Sequence, residues 1–176
     1  MTSSSSEREK TGLQQAGENL FNFAVDREDV KSLVAQIPAD AKCPSATVEY
    51  ELHILKIITT GWSISFFLGN RPHLDRLAEN FWEMVKEFSA SLSETTGLMT
   101  SHDIDYFQIL KDRLDLYVAA LAAKPGMTEP AAVVGPEFAR LCGDADDIFS
   151  IMTGARMFIL TVARVKKYLD GIELQL

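Results

Sequence analysis

Apolar residues recur along most of this chain at steps of three and four, the spacing that lines them up on one face of an α-helix. Leu77, Phe81, Met84, Val85, Phe88 and Leu92 follow Leu74 in this way, and Phe107, Leu110, Leu114, Tyr117 and Leu121 repeat the pattern. A third stripe runs through Ile148, Ile151, Met152, Ala155, Phe158, Val162, Val165 and Leu169. Long polar-apolar alternation and Asn-Gly or Asp-Gly hairpin turns, the marks of strands, do not occur. The pattern predicts an all-α protein.

Helix punctuation divides the chain further. Ser45, after Pro44, is placed to cap a helix over 46–68, and Gly69 to end it. Asn70-Arg-Pro72 reopens the chain, with proline in the first turn of a helix over 72–95 that should stop near Gly97. Thr100 or Ser101 is the expected cap of a helix over 102–123, and Lys124-Pro125-Gly126 its stop. Thr128-Glu-Pro130 opens a shorter helix over 129–142, bent at Gly135-Pro136 and closed by Gly143. Asp144-Ala-Asp-Asp147 begins a helix over 145–170, with Arg164, Lys166 and Lys167 toward its other end. Upstream, Asp26-Arg-Glu-Asp29 reads as a cap leading into Val30, Leu33, Val34 and Ile37, and 12–24 as a further helix or packed arm. Short connections favour antiparallel neighbours, so the expected architecture is an antiparallel bundle of four long helices with shorter N-terminal and connecting helices. Residues 1–11 read as a disordered, solvated tail and 12–176 as a single helical domain.

The helix over 46–68 differs from its companions. Val48, Leu52, Leu55, Ile58 and Trp62 form one stripe, while Ile54, Ile57, Ile64, Phe67 and Leu68 occupy other faces, so its second half is apolar nearly all round. Such a helix sits in the middle of the bundle or covers a subunit interface. It is too short to span a bilayer: between Lys56 and Arg71 only the 13 residues 57–69 and Asn70 are uncharged, where about 18 apolar residues are needed. Small residues thread through it, with Thr59 and Ser63, and Gly61 and Ser65, each at i, i+4. One reading is a close crossing of Gly61 against Gly154 on the last helix. The other is an apolar cavity beside Trp62, Phe66, Phe67, Phe81 and Trp82, with a few hydroxyls to orient a small apolar ligand.

Composition narrows the functions. At 176 residues with 47% hydrophobic and 24% charged side chains, the chain is the size and make-up of one ordinary globular domain. Its formal charge of -8 repels phosphate backbones and anionic lipid, so nucleic acid is not an expected partner. Cys43 and Cys142 form neither a metal-ligand spacing nor a disulfide framework, and the first ten residues lack the apolar run of a signal peptide, so a cytoplasmic location is expected.

Candidate chemistry is thin. Glu49 and His53 stand at i, i+4, but no second such pair supplies the other half of a di-iron site, and His73 and His102 begin other helices. Asp144-Ala-Asp-Asp147 superficially matches the paired-acid motif of terpene cyclases, and helix capping accounts for it. Asp103, Asp105, Asp112 and Asp115 read as a solvated helix start and outer face. No phosphate-cradling glycine loop or Gly-x-Ser-x-Gly elbow occurs. The residues therefore point away from an enzyme, with no metal, no cofactor and no membrane span. They point towards a helical protein that works by contact, most simply as a homodimer through the 46–68 helix. The alternative is binding or sensing of a small apolar ligand, and the candidate residues for either pocket or interface are Thr59, Gly61, Trp62, Ser63, Phe66, Phe67, Phe81, Trp82 and Gly154.

Overall fold

The computed structural model describes residues 3–69, 71, 75–100 and 102–173. Among these the chain is all-α, without strands, in seven helices: α1 (Ser3–Val25), α2 (Glu28–Val34), α3 (Ser45–Leu68), α4 (Asp75–Thr100), α5 (Tyr106–Ala122), α6 (Ala131–Cys142) and α7 (Ile148–Glu173). The expected restart at Asn70 and Pro72 and the capping alternative Ser101 lie outside the described residues. The backbone of 3–11 continues α1, where composition suggested a tail.

The architecture is less regular than four long helices side by side, because α3 packs against every other helix. Its all-round apolar surface is thereby explained: Leu52, Ile54, Leu55, Ile57, Ile58 and Ile64 face different neighbours and all are buried. Residue pairs give the directions. Trp62 meets Phe158, and Lys56 shares Asp29 with Arg164, so α7 runs antiparallel to α3. Tyr50 meets Tyr106 and Glu51 meets Arg113, so α5 runs parallel to α3. Gly17 lies against Asn80 and Met84, and Phe21 against Phe88, so α1 runs parallel to α4.

Several helix ends differ from the sequence expectation. Ser45 is the first helical residue of α3 and Pro44 occupies the cap position without a side-chain bond, since proline has the required extended φ but no acceptor. Gly69 has φ -57, so the helix ends without a left-handed residue. α4 runs through Gly97 to Thr100, with Ser91, Ser93, Thr95 and Thr100 hydroxyls bonding carbonyls one turn back, and glycine alone does not break it. Asp105, rather than Thr100, caps α5 by accepting from the Gln108 N–H at 2.9 Å. Gly143 does adopt a left-handed φ of 114 and closes α6 as expected. Asp147 caps α7, accepting from the Ser150 N–H at 3.0 Å and from its hydroxyl.

The buried face of α7 is rotated from the expected stripe. Ser150, Thr153, Gly154, Met157, Phe158, Thr161, Val165 and Leu169 point inward, whereas Ile148 and Met152, expected in the core, are exposed. Small side chains allow α6 and α3 to approach closely: a Cβ on Gly154 would fall 2.5 Å from Cγ of Phe138, and one on Gly135 2.7 Å from the Ile151 carbonyl oxygen. Close approach selects the small-residue side of α7, and its bulky side is left outside.

Candidate functional site

Among the described residues, those singled out around the apolar helix pack closely on one another at Gly61. A Cβ on Gly61 would lie 2.2 Å from Cζ2 of Trp82 and 2.9 Å from Cε1 of Phe81, so the indole and the phenyl ring rest on the bare glycine backbone. The missing side-chain volume is filled by α4. Gly154 takes the Phe138 ring in the same way, so the expected crossing of Gly61 against Gly154 is replaced by two separate glycine-aromatic contacts. Phe81 and Trp82 pack edge to face at 5.4 Å.

On another side of α3, Trp62 stacks on Phe66 at 5.0 Å and tilts against Phe158 at 6.0 Å, while Phe67 meets Phe66 edge to face. Thr59 and Ser63 are buried, and Ser63 Oγ has no hydrogen-bond partner. The only opening near Thr59 and Trp62 among the cavities described is a void of about 20 Å³, room for about one water.

A larger cavity, of about 360 Å³, lies at the other end of α3. Tyr50, His53 and Ile57 of α3 form one wall and Phe88, Leu92, Ser93 and Thr96 of α4 another. Val25 and Arg27 close it from the α1–α2 junction, and Ile104 and Tyr106 from the start of α5. Its position follows from the α4–α5 connection: Ser93 Oγ accepts from the Tyr106 N–H at 3.0 Å, which holds the first turn of α5 against α4. Tyr50 and Tyr106 meet edge to face at 6.5 Å.

The polar residues around this cavity are one guanidinium, one imidazole and four hydroxyl side chains. The Arg27 guanidinium bonds Glu49 from its Nη2 and makes no other hydrogen bond among the described residues, and Glu49 does not line the space. Burial pushes the Tyr50 hydroxyl above its ordinary value and the Tyr106 hydroxyl up to about 12, so both keep their protons. Burial, with Arg27 and Lys56 nearby, holds the His53 ring below the usual imidazole range against the opposing pull of Glu49. Its Nε2 is sealed from solvent, 4.0 Å from Glu49 and without a hydrogen bond.

Two buried ion pairs belong to the framework. Lys56 is fully buried, donates to the Asp26 carbonyl at 2.8 Å, pairs with Asp29 at 3.2 Å and lies 4.5 Å over the Phe23 ring. Glu51 receives two bonds from Arg113, at 2.9 and 2.8 Å. Tyr117 and Cys142 lie near this pair, and burial pushes both well above their ordinary values, so neither is poised as a nucleophile. Among the described residues no three His, Cys, Asp or Glu side chains gather where they could hold a metal ion.

Sequence reasoning missed the outer face of α7. Ile148, Phe149, Met152, Ile159 and Leu160 are between 39% and 62% exposed on this one helix. By length and composition, Ile148–Ile172 could also cross a membrane, with 39% of that apolar window buried in the protein. No protein-family model matches the chain, and no curated protein or solved structure matches it significantly.

Proposed function

We propose that this protein works by docking rather than by chemistry, through the outer face of α7, and that the occupant is a second copy of the chain. One observation carries the reading: five large apolar side chains share an exposed face about 20 Å long, with Arg156 the only charge from Ile148 to Leu160. Arg156 is itself engaged, donating to Gln36 Oε1 at 2.8 Å. The α3 helix, nominated from its sequence, has spent its apolar surface on its own neighbours, and its exposed large apolar side chains are Phe66 and Tyr50. A self-complementary face forming a closed two-fold dimer is the simplest symmetric assembly. The formal charge of -8 disfavours the competing occupant, an anionic lipid surface.

The test is sedimentation equilibrium of the full chain and of the double variant Met152→Lys, Ile159→Lys. Both positions are exposed, so the variant should keep its helical circular dichroism. Concentration-dependent dimerisation of the parent and a monomeric variant are expected. A parent that stays monomeric at every concentration, or a variant that dimerises equally well, overturns the reading. A monomeric parent that co-sediments with phosphatidylcholine vesicles would assign the face to a membrane surface instead.

A further inference from the structure

We infer that the cavity between α3, α4 and the start of α5 is a binding site for a small apolar molecule bearing one carboxylate. This stands independently of how the outer face of α7 is used. The volume of about 360 Å³ lies at the lower end of small-molecule sites and suits a single ring system or a medium-length acyl chain. Ile57, Phe88, Leu92 and Ile104 provide an apolar body, whereas the cavity of about 380 Å³ between α1 and α4 is lined by Glu18, Glu83 and Glu87.

The polar lining selects the head group. Arg27 is the one permanently charged side chain among the lining residues, and the carboxylate it pairs with, Glu49, lies outside the lining. Its guanidinium offers donors beyond the one given to Glu49, in a planar array suited to a carboxylate. Tyr50 and Tyr106 also line the cavity, and both keep their phenolic protons. Glu49 already answers one side of the guanidinium, and a ligand carboxylate would take the donors left over with a charge-assisted bond, which a neutral alcohol makes more weakly and a cation does not make. The head group belongs at the Arg27 and Tyr50 end, where both side chains are exposed to incoming solute, and the apolar body belongs against Ile57 and Phe88.

Titration calorimetry of the full chain with decanoate, 1-naphthoate and decanol, with amide chemical-shift mapping of the complexes, tests this. At least one of the two carboxylates should bind saturably, with shifts centred on Tyr50, His53, Leu92 and Tyr106. Decanol should bind about tenfold more weakly than decanoate, and Arg27→Gln should remove most of that difference, as expected for one charge-assisted bond. Leu92→Trp, which fills the space, should abolish binding, and Ile159→Lys on the outer face of α7 should leave it intact. Because a filled core can misfold, the shift map supplies a check that needs no variant. Failure of both carboxylates to saturate, shifts centred on α7, or decanol binding as tightly as decanoate would each overturn the inference. If decanoate alone binds the occupant is acyl, and if naphthoate alone binds it is aryl.

Discussion

At Gly61 an alanine methyl would fall 2.2 Å from Cζ2 of Trp82, well inside any real carbon-carbon contact, so the indole would have to move. Overpacking of this kind costs about 1–3 kcal/mol, while alanine returns about 1 kcal/mol of helix propensity. Gly61→Ala should therefore lose on the order of 1 kcal/mol: a lower urea midpoint at unchanged m, with altered tryptophan emission. Gly171→Ala is the control, because a Cβ there meets nothing within 4 Å. It should be neutral or slightly stabilising. An unchanged midpoint and spectrum for Gly61→Ala would mean that Trp82 does not rest on this glycine. The need for small side chains at Gly61 and Gly154 was readable from the spacing of small residues. Which aromatic ring fills each gap was not, because helical periodicity fixes a residue's face and says nothing about the neighbour opposite.

Between elements, Asp29 is the clasp. It joins α2 to Lys56 of α3 at 3.2 Å and to Arg164 of α7. Burial pushes its carboxyl up, but the Arg164 hydrogen bond and the Lys56 charge outweigh burial and hold it below the ordinary 3.8. A depressed carboxylate contributes stability that is present above its unfolded value and is lost as pH falls through its folded one. Asp29→Asn should thus destabilise the protein at neutral pH by about 1–3 kcal/mol, since Lys56 loses its closest carboxylate. The gap between parent and variant should narrow as pH falls below about 3.8. A constant gap from pH 7 to pH 2.5 in urea titrations would show that the Asp29 charge does not join these helices. The sequence presented this residue only as part of a capping cluster, and Arg164 only as a favourable charge near a helix end. α7 in fact continues to Glu173, and the arginine is spent on α2. Helix existence was readable from apolar stripes, whereas the ends were set by tertiary bonds such as that from the Tyr106 N–H to Ser93, which no local signal carries.

For the molecule as a whole, the central place of α3 governs cooperativity. Each of the other six helices packs against it, so none can lose α3 and keep its own buried surface. The all-round apolar pattern of 46–68 was read first as an interface helix, with a central helix as the other possibility, and α3 packs against all six other described helices. The cavity and the bare face of α7 were unreadable for a related reason. The cavity is assembled from four separate segments, and the face is defined by what fails to cover it. A hub of this kind predicts unfolding as one unit. Leu52 is fully buried in α3, and Leu52→Ala should cost about 2–5 kcal/mol by opening a cavity. If α3 is the common support, native-state hydrogen exchange should show the slowest amides of α4 and α7 losing protection by the same free energy as those of α3. If protection falls in α3 alone while α6 and α7 keep theirs, the close α6–α7 pair folds as a separate unit and the central helix is not what holds the molecule together.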